Sequence, residues 1–241
     1  MSKVVISRQF AGPPTSGNGG YVGGVLARGI DGPATIILRA IIPLDTPLDL
    51  IESDGRWVLS GEGGSPIGEA IAGRAEDLPE PLPAPSLEAA RAAGERYVGL
   101  KETFHPICVC CATVREEGDG LRVFAGQLDG APTGVVAGVW TPHANFADAD
   151  GLIPSEIVWT AIDCPSWYGW LLRDGAAPGL LGTMTGEVVR RPRAGEPYII
   201  LAWPLEGGTG RKRFSGVGLY TGSGECIARG RQVWISFNPV A

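Results

Sequence analysis

The sequence has very few histidines, which limits the hydrolytic chemistry that it can carry. It contains only His105 and His143, and no G-x-S-x-G motif, in which α/β-hydrolases place a serine nucleophile. A Ser-His-Asp site needs a histidine held beside both the serine and the aspartate. We therefore do not expect a serine hydrolase.

Excess positive charge and long apolar runs are also lacking. The formal net charge is −6 and the isoelectric point is near 5.0, whereas binding to a phosphate backbone needs a basic surface. Nucleic acid is therefore not an expected partner. No apolar run approaches the roughly 18 residues of a membrane span, and the opening MSKVVISRQF lacks the apolar core of a signal peptide. We expect a cytoplasmic protein with no membrane partner.

The even set of cysteines that is typical of a secreted disulfide framework is absent. The five cysteines include three that crowd into four positions, Cys108, Cys110 and Cys111, and reduced thiols are the expectation. Cys108 and Cys111 have C-x-x-C spacing, with His105 before them, but this supplies only half of a zinc site. We therefore expect no bound metal; a Cys-His nucleophile pair is an alternative.

The sequence does have many turns between short apolar runs. Its 37 glycines and 20 prolines are spread along the chain, which favours turns between strands over disorder. LPEPLPAPS, residues 78–86, predicts a polyproline linker, followed by a short helix with Ser86 as its N-cap. These features divide the chain into an N-terminal unit, 1–77, a proline-rich linker with a connecting helix, 78–103, and a C-terminal unit, 104–241.

Both units have the same predicted order of elements: a strand, one apolar helix and a run of antiparallel strands. The helices are predicted at 18–29 and 153–172. GEAIAGRA (68–75) and GECIARGR (224–231) share Gly, Glu, Ile and Ala at the same offsets, and we infer an internal duplication. A helix between a strand and an antiparallel meander is best buried when the sheet wraps around it, which predicts an α+β fold.

Five blocks resemble acyl-CoA thioesterase-like proteins of the hotdog fold, in which a curved antiparallel sheet wraps around a central helix. The blocks are FAGPPTSGNGGYVGGVLA (10–27), HPICVCC (105–111), GDGLRVFAG (118–126), VVAGVWTP (135–142) and SEIVWTAIDCP (155–165). The resemblance is to a tandem (double) hotdog of an uncharacterised thioesterase-like group, and it covers nearly the whole chain outside the linker. In that group the cysteine block has the form C-x-x-C-G; here Ala112 follows Cys111 and Cys110 is added.

The resemblance implies a chemistry and a partner. Hotdog proteins act mostly on thioesters of coenzyme A or acyl carrier protein, as thioesterases or dehydratases, at sites between two hotdog units. Backbone N–H groups at the start of a central helix point at the thioester carbonyl, and an acidic or polar side chain of the facing unit activates water. The expected partner is acyl-CoA or another acyl thioester, with coenzyme A only as part of the substrate and no separate cofactor. Because hotdog units commonly dimerise, the resemblance also allows a homodimer.

The stretch SGNGGYVGG, residues 16–24, places glycines where a helix should begin. The first N–H groups of a helix have no internal partners, and the helix dipole favours negative charge there. On the resemblance, Gly19 and Gly20 let a thioester oxygen reach these donors, Tyr21 lies beside them, and Asn18 caps the helix or orients the substrate. The alternative is that Asn18 only caps the helix and the glycines permit tight packing of the helix against the sheet.

Asp163 is predicted to lie inside the apolar helix 153–172. A carboxylate in apolar surroundings is costly unless it is paired, and its pKa rises toward neutral pH, which suits a general base. The alternative is that Asp163 caps a second helical segment that Pro165 opens. Ser155, the predicted N-cap, and Glu156 are further candidates for binding substrate, although capping also explains both.

Two functions are therefore open. The first is hydrolysis of an acyl thioester, with Asp163 as the base facing the start of the first helix across the two units. The second is a non-catalytic module that binds acyl-CoA or a small ligand without hydrolysis, since the first helix carries no carboxylate between Asn18 and Gly29. A structural role through assembly of sheets across subunits is a third hypothesis.

Overall fold

The described part of the chain forms an eleven-stranded antiparallel sheet with four α-helices. The computed structural model describes residues 2–102, 104–175, 178–208 and 210–236. The strands are β1 (Ser2–Val5), β2 (Ala34–Leu38), β3 (Pro47–Ser53), β4 (Arg56–Ser60), β5 (Pro66–Ala72), β6 (Gly126–Gln127), β7 (Val136–Trp140), β8 (Gly179–Val188), β9 (Tyr198–Leu205), β10 (Lys212–Tyr220) and β11 (Cys226–Ser236). The helices are α1 (Gly19–Ala27), α2 (Leu87–Gly94), α3 (Ser155–Ala161) and α4 (Pro165–Asp174). No helix in these described ranges has the length and apolar character needed to cross a membrane.

The strand order is the same in both halves of the sheet, apart from the short edge strand β6 that the second half adds. The order across the sheet is β1-β3-β4-β5-β2-β8-β11-β10-β9-β7-β6, so the first half (β1 to β5) follows the same scheme as β7 to β11 of the second half. In each half a helical region follows the first strand: α1 follows β1, and α3 with α4 follows β7. The halves join where β2 pairs with β8, from Ala34 opposite Gly186 to Ile37 opposite Thr183. The α+β class is confirmed.

The short sequence repeat does not occupy equivalent positions in the two halves. Gly68 of β5 pairs with Leu38, the last residue of β2. The corresponding position in β11 is Ala228, which pairs with Val188, the last residue of β8. GEAIAGRA and GECIARGR therefore fall near the same strand of each half but out of register. The order of elements, rather than these shared letters, relates the halves.

Helix α1 begins where the sequence predicts. Asn18 precedes it in extended conformation, and its Oδ1 accepts a hydrogen bond of 2.9 Å from the N–H group of Tyr21, as an N-cap does. The helix ends at Ala27, earlier than the predicted residue 29. Val22 and Leu26 are fully buried in the main core, against which both halves of the sheet pack.

Helices α1 and α3 lie against each other in opposite directions, and glycine allows the close contact. A Cβ atom at Gly20 would lie 2.5 Å from the carbonyl oxygen of Trp159, and one at Gly24 would lie 2.4 Å from the Cα atom of Glu156. Atoms cannot approach this closely, so both positions need a residue without a side chain. Tight packing therefore explains these two glycines, and they pack against helix α3 rather than against the sheet.

The predicted helix 153–172 is two helices with a turn between them. α3 ends at Ala161, and α4 begins at Pro165, which occupies the first helical position, where a missing N–H group costs nothing. Pro165 breaks the helix as predicted. Asp163 lies in the turn, residues 162–164, rather than inside a helix.

The prediction of Ser155 as the N-cap is wrong, because Ser155 is the first helical residue. Pro154 precedes α3 in an extended conformation, with φ −57° and ψ 147°. Its carbonyl oxygen accepts hydrogen bonds from the N–H groups of Ile157 and Val158. The backbone alone therefore starts the helix, and the hydroxyl of Ser155 is not needed there.

The apolar alternation of GLRVFAGQL (120–128) predicts a strand, but only Gly126–Gln127 is one. The preceding residues turn their backbone toward the cysteine block instead. The N–H group of Leu121 donates to the carbonyl of Val109 at 2.7 Å, and that of Val123 donates to the carbonyl of Cys110 at 2.9 Å. We call residues 104–125 the cysteine segment.

The predicted linker covers the outer face of the second half rather than standing free of it. Ser86 caps α2 as predicted, because its Oγ accepts a hydrogen bond of 3.1 Å from the N–H group of Ala89. The buried face of α2 packs on apolar side chains of β7 and β9, as the fully buried Ala90 and Ala93 show. The boundaries of the predicted units, at 77 and 104, stay predictions.

Candidate functional site

Two polar side chains at the start of α1 are buried. Asn18 is 2 % exposed and Asp163, in the turn between α3 and α4, is 3 % exposed. The cysteine segment covers the same place, because the N–H group of Val109 donates to the carbonyl of Ala11 at 2.8 Å. Asn18 and Gly20, at the helix start that was expected to face a substrate, are therefore enclosed by protein, whereas Gly19 is half-buried.

Asp163 joins the two halves through a single carboxylate oxygen. Its Oδ2 atom accepts one hydrogen bond of 3.0 Å from the side-chain amide of Asn18 and another of 3.0 Å from the N–H group of Gly20. Its Oδ1 atom is buried and has no hydrogen-bond partner within the described residues. Buried polar atoms are nearly always paired, so the unpaired Oδ1 atom is unusual. Two donors hold Oδ2, and Oδ1 is available to accept a further hydrogen bond.

Burial raises the pKa of the Asp163 carboxyl group to about 7. Loss of solvent is the largest cause; the N–H group of Gly20 and the amide of Asn18 act in the opposite direction, and Cys108 adds to the rise. The partial positive charge at the start of α1 also favours the ionised form. A carboxyl group of this kind can exchange a proton near neutral pH, as a general base must.

The two glycines at the start of α1 differ in whether their backbone N–H groups are free to bind a substrate. The N–H group of Gly20 is already bound by Asp163, so it is not free to receive a thioester oxygen as the structure stands. The N–H group of Gly19 has no hydrogen-bond partner in the described part of the chain. A Cβ atom at Gly19 would lie 3.1 Å from side-chain atoms of Leu38 and Leu181, so the surroundings of this donor are apolar.

Tyr21 covers the same end of α1 from outside. Its ring stacks on that of Phe10, with 3.8 Å between centroids and 3° between planes. Burial raises the pKa of its hydroxyl group, while Arg28 acts against this and Glu156 adds to it. The ring of Tyr21 therefore covers the start of α1, and its role in binding substrate stays a prediction.

A further buried polar group holds the turn that carries Asp163. The side-chain amide of Gln232, on β11, donates to the carbonyls of Ile162 at 3.0 Å and Asp163 at 3.1 Å. Its Oε1 atom accepts a hydrogen bond from Ser166, whose hydroxyl in turn accepts one of 2.9 Å from Trp234. Sequence reasoning missed Gln232; a lone amide in a strand with buried apolar neighbours is the signal that could have found it.

Three thiols form a second buried cluster beside Asn18. The sulfurs of Cys108, Cys111 and Cys164 lie within 4.8 Å of one another, and those of Cys108 and Cys164 are 3.6 Å apart. The amide of Asn18 lies 3.9 Å from the Cys108 sulfur, and the hydroxyl of Tyr168 lies 3.6 Å from the Cys111 sulfur. The C-x-x-C spacing indicated two of these thiols; Cys164, from the turn before α4, was not foreseen.

The thiols in this cluster act on one another's acidity. Donation by Cys111 and by Cys164 holds the pKa of Cys108 below the ordinary thiol value. The same hydrogen bonds raise the pKa of Cys111 and of Cys164, and burial adds to both. Burial raises the pKa of Cys110, whose sulfur lies 3.9 Å from the carbonyl oxygen of Ala161.

Ser155 and Glu156 lie at the other end of the α1–α3 pair. Because the two helices run in opposite directions, the start of α3 is next to the end of α1, and Glu156 pairs with Arg28. A cleft of about 160 Å³ opens there, and Arg28 and Ser155 are among its lining residues. The structure brings Asn18, Gly20 and Asp163 together and leaves Ser155 and Glu156 apart from them.

A larger groove lies on the second half and uses none of the predicted site residues. It has a volume of about 570 Å³ and is lined by loop residues that include Arg122 and His143. The Nδ1 atom of His143 accepts a hydrogen bond of 3.1 Å from the N–H group of Asn145. His143 therefore caps the short 3-10 helix of residues 144–146.

No protein-family model matches the sequence. No curated protein matches it either. The fold, in contrast, matches solved structures over nearly the whole chain. The tesB protein of Mycobacterium avium subspecies paratuberculosis is 13 % identical with a TM-score of 0.58, and the match covers 91 % of this chain and 87 % of that one.

Two further structures give the same result. A candidate thioesterase II from Thermobifida fusca is 15 % identical with a TM-score of 0.59, covering 98 % of this chain and 92 % of that one. A hotdog-fold protein of unknown function from Alicyclobacillus acidocaldarius is 11 % identical with a TM-score of 0.57, covering 99 % and 93 %. At such identities the likeness concerns the fold alone. The hotdog fold of thioesterase-like proteins, which the sequence blocks predict, is confirmed.

Proposed function

We propose that this protein hydrolyses acyl thioesters, with the carboxylate of Asp163 as the base. The observation that carries the proposal is the difference in hydrogen bonding between the two oxygens of that carboxylate. Oδ2 is held by Asn18 and Gly20 from the facing half, and Oδ1 is buried without a partner in the described residues. A fixed carboxylate with one free oxygen can orient a water molecule and take its proton. The hotdog fold of thioesterase-like proteins agrees with this chemistry.

The reaction needs one proton acceptor and one donor to the carbonyl oxygen. The oxygen of water attacks the thioester carbonyl carbon, and a water proton moves to Oδ1 of Asp163. The N–H group of Gly19, at the positive end of α1, is placed to stabilise the charge that develops on the carbonyl oxygen. The C–S bond then breaks, and Asp163 returns its proton to the leaving sulfur, so that an acid and a free thiol result.

Substrate can reach Asp163 only if the enclosure opens. The cysteine segment and the stack of Phe10 on Tyr21 cover the start of α1. Both belong to connecting segments or to the outer side of a helix, whereas every strand between the edge strands β1 and β6 is paired on both sides. In this proposal the cysteine segment moves away to admit the acyl thioester.

The second candidate function is binding of an acyl thioester without hydrolysis. The hydrogen bond from Gly20 to Asp163 favours it, since it occupies a backbone N–H group that a hydrolytic site would need. In this case the carboxylate joins the two halves and takes no part in chemistry. The two functions differ in one measurable product, the free thiol.

The test compares thiol release by the wild-type protein, Asp163→Asn and the control Asp129→Asn. Substrates are coenzyme A thioesters with short, long and aromatic acyl groups. We expect Asp163→Asn to lower kcat/KM by about 10² to 10⁴-fold, the usual contribution of a general base. Asp129 is an exposed partner of Arg96, 81 % exposed as a side chain, so its variant should match the wild type.

Two outcomes would change the assignment. Full hydrolysis by a folded Asp163→Asn variant would remove Asp163 from the mechanism. Tight binding of acyl-CoA by the wild type with no release of thiol would replace the enzyme with the binding module. The melting temperature of each variant, measured alongside, separates loss of chemistry from loss of fold.

We also infer that the chain is a tandem (double) hotdog, which supplies both sides of the site from one polypeptide. The support is the shared strand order of the halves and the position of a helical region after the first strand of each. In this arrangement Asp163 and Gly20 belong to two units that face each other. An experimental structure in which β2 and β8 do not pair would contradict this arrangement.

A further inference from the structure

The three-thiol cluster is built from two distant parts of the chain. Cys108 and Cys111 come from the cysteine segment, and Cys164 comes from the turn before α4, where it is 8 % exposed. Cys108 and Cys111 are 1 % and 2 % exposed. Neither the hydrolysis of a thioester nor the binding of one uses these sulfurs.

The spacing of the sulfurs suits a metal ion bound to all of them. A zinc ion binds thiolate sulfur at about 2.3 Å, which places the sulfurs of a tetrahedral site about 3.8 Å from one another. Cys108 and Cys164 are already 3.6 Å apart, and Cys111 is within 4.8 Å of both. Small side-chain rotations therefore suffice to close the site around an ion.

The surroundings also have the character of a metal site. Thiolate ligands select soft ions such as Cu(I) and Zn(II) over Mg²⁺ and Ca²⁺. Ligands of such sites are usually held by hydrogen bonds from a second layer of groups. Here the amide of Asn18 lies 3.9 Å from one ligand sulfur, and the hydroxyl of Tyr168 lies 3.6 Å from another.

We propose that Cys108, Cys111 and Cys164 bind one soft, thiophilic metal ion of the d¹⁰ class, Zn(II) or Cu(I). The ligands bind as thiolates, and their protons leave to solvent. The bound ion ties the cysteine segment to the turn that carries Asp163 and keeps the start of α1 covered, so the movement that admits an acyl thioester belongs to the metal-free form. The chain folds with these sulfurs together, so one polypeptide supplies all three sulfur ligands.

A disulfide is the competing use of the same thiols. A disulfide requires a sulfur–sulfur distance of about 2.05 Å, and Cys108 and Cys164 are 3.6 Å apart as free thiols. A disulfide would also leave Cys111 without a role. The metal site uses all three sulfurs and needs no oxidant.

The test uses the full chain, reduced and stripped of metal, without oxygen. Zn(II) and Cu(I) are titrated in separate arms against a chromophoric chelator, with Mg²⁺ as the negative control. We expect one ion per chain in at least one arm. Cys164→Ala should lose this binding, and Cys226→Ala should keep it, because Cys226 is half-buried and outside the cluster.

A second measurement needs no variant, in case Cys164→Ala does not fold. Co(II) bound to the wild type should show sulfur-to-metal charge-transfer absorption of the strength given by three thiolates. X-ray absorption of the zinc form should show sulfur neighbours at about 2.3 Å. No binding in either arm, an ion without sulfur neighbours, or unchanged binding by a folded Cys164→Ala would each overturn the proposal. These readouts are independent of thiol release from substrates.

Discussion

The Oδ2 atom of Asp163 accepts a hydrogen bond of 3.0 Å from the backbone N–H group of Gly20, a residue 143 positions earlier in the chain. This bond links the turn between two helices of one half to the helix start of the other. It holds the carboxylate at the positive end of a helix, where negative charge is favoured. It also occupies one of the donors that a thioester would need.

Gly20→Ala should destabilise the fold. The new Cβ atom would lie 2.5 Å from the carbonyl oxygen of Trp159 and 2.7 Å from the Cβ atom of Asp163. The two helices would have to separate, and overpacking of this kind costs about 1–3 kcal/mol. Urea unfolding of the variant measures the loss.

The control for this prediction is Gly61→Ala. The nearest atom to a Cβ there is 3.6 Å away, on Ile67, and the residue has an ordinary φ of −84°. We expect no loss of stability, or a gain of about 0.4–1 kcal/mol from the unfolded chain. Equal destabilisation by both variants would mean that the helix contact is not the cause.

Asn18→Ala should cost more than the loss of a helix cap. Asn18 caps α1 through its Oδ1 atom and donates to Asp163 through its Nδ2 atom. Removing a cap costs about 1 kcal/mol, and removing a donor to a buried charged group costs about 1.5–3 kcal/mol. Ser86→Ala is the matched control, since Ser86 only caps α2.

The excess cost of Asn18→Ala should depend on Asp163. In an Asp163→Asn background, the carboxylate charge that Asn18 stabilises is gone. A double-mutant cycle should therefore give a coupling energy of roughly 1 kcal/mol or more. Strict additivity of the two changes would show that Asn18 acts as a cap alone.

Glu69→Gln should change how stability depends on pH. Glu69 pairs with Arg39 and Arg56, and the hydrogen bond from Arg39 is the main reason that its pKa lies below the ordinary value. The folded-state pKa is lower than the unfolded one. The ionised group therefore stabilises the fold above the unfolded value, and this is lost as pH falls through the folded value. The variant should be less stable at about pH 7 by on the order of 1 kcal/mol, with the difference vanishing in acid.

Unfolding of wild type and Glu69→Gln by urea, at neutral and acid pH, measures this difference. Glu62→Gln serves as the control, because Glu62 is exposed and has no ion pair among the described residues. A difference for Glu69→Gln that stays constant between the two conditions would rule out the charge as its source.

The five thiols should differ sharply in reactivity. Four are buried and Cys226 is half-buried, and burial raises the pKa of Cys226 as well. A thiol reagent should label the native, reduced, metal-free protein slowly, and only at Cys226. After unfolding, the reagent should label all five cysteines. Cys226→Ser should remove the native reaction. Fast labelling of Cys108 would show that the cysteine segment opens readily.

Much of the fold could be predicted because its signs are local. Asn18 before an apolar run marks a helix start, and Pro165 breaks a helix wherever it occurs, so both boundaries came out near their observed places. The order of strands and helices followed from turns and apolar runs. The prediction of a strand at 120–128 was wrong for most of its length, because the backbone there forms hydrogen bonds with the cysteine block. No local sequence pattern encodes that contact.

The candidate site could be predicted only in part. Asp163 was identified because a carboxylate in apolar surroundings is unusual in any fold. Gln232 and Cys164 were missed, since an amide and a thiol are unremarkable in sequence until their partners are known. The sequence leaves open whether the glycines serve substrate contact, at Gly19 and Gly20, or tight packing. The packing of Gly20 and Gly24 against a helix appears only when α3 lies across α1.

The sequence by itself determined where α1 and α2 begin, where the second apolar helix breaks and which carboxylate is out of place, because side-chain capping, the proline ring and desolvation act within a few residues. Only the tertiary structure decided that Asp163 meets Gly20, that Cys164 meets Cys108, and that the helix start is covered. Those contacts join residues far apart in the chain, and they depend on how closely two helices approach. That distance is set by packing across both halves at once.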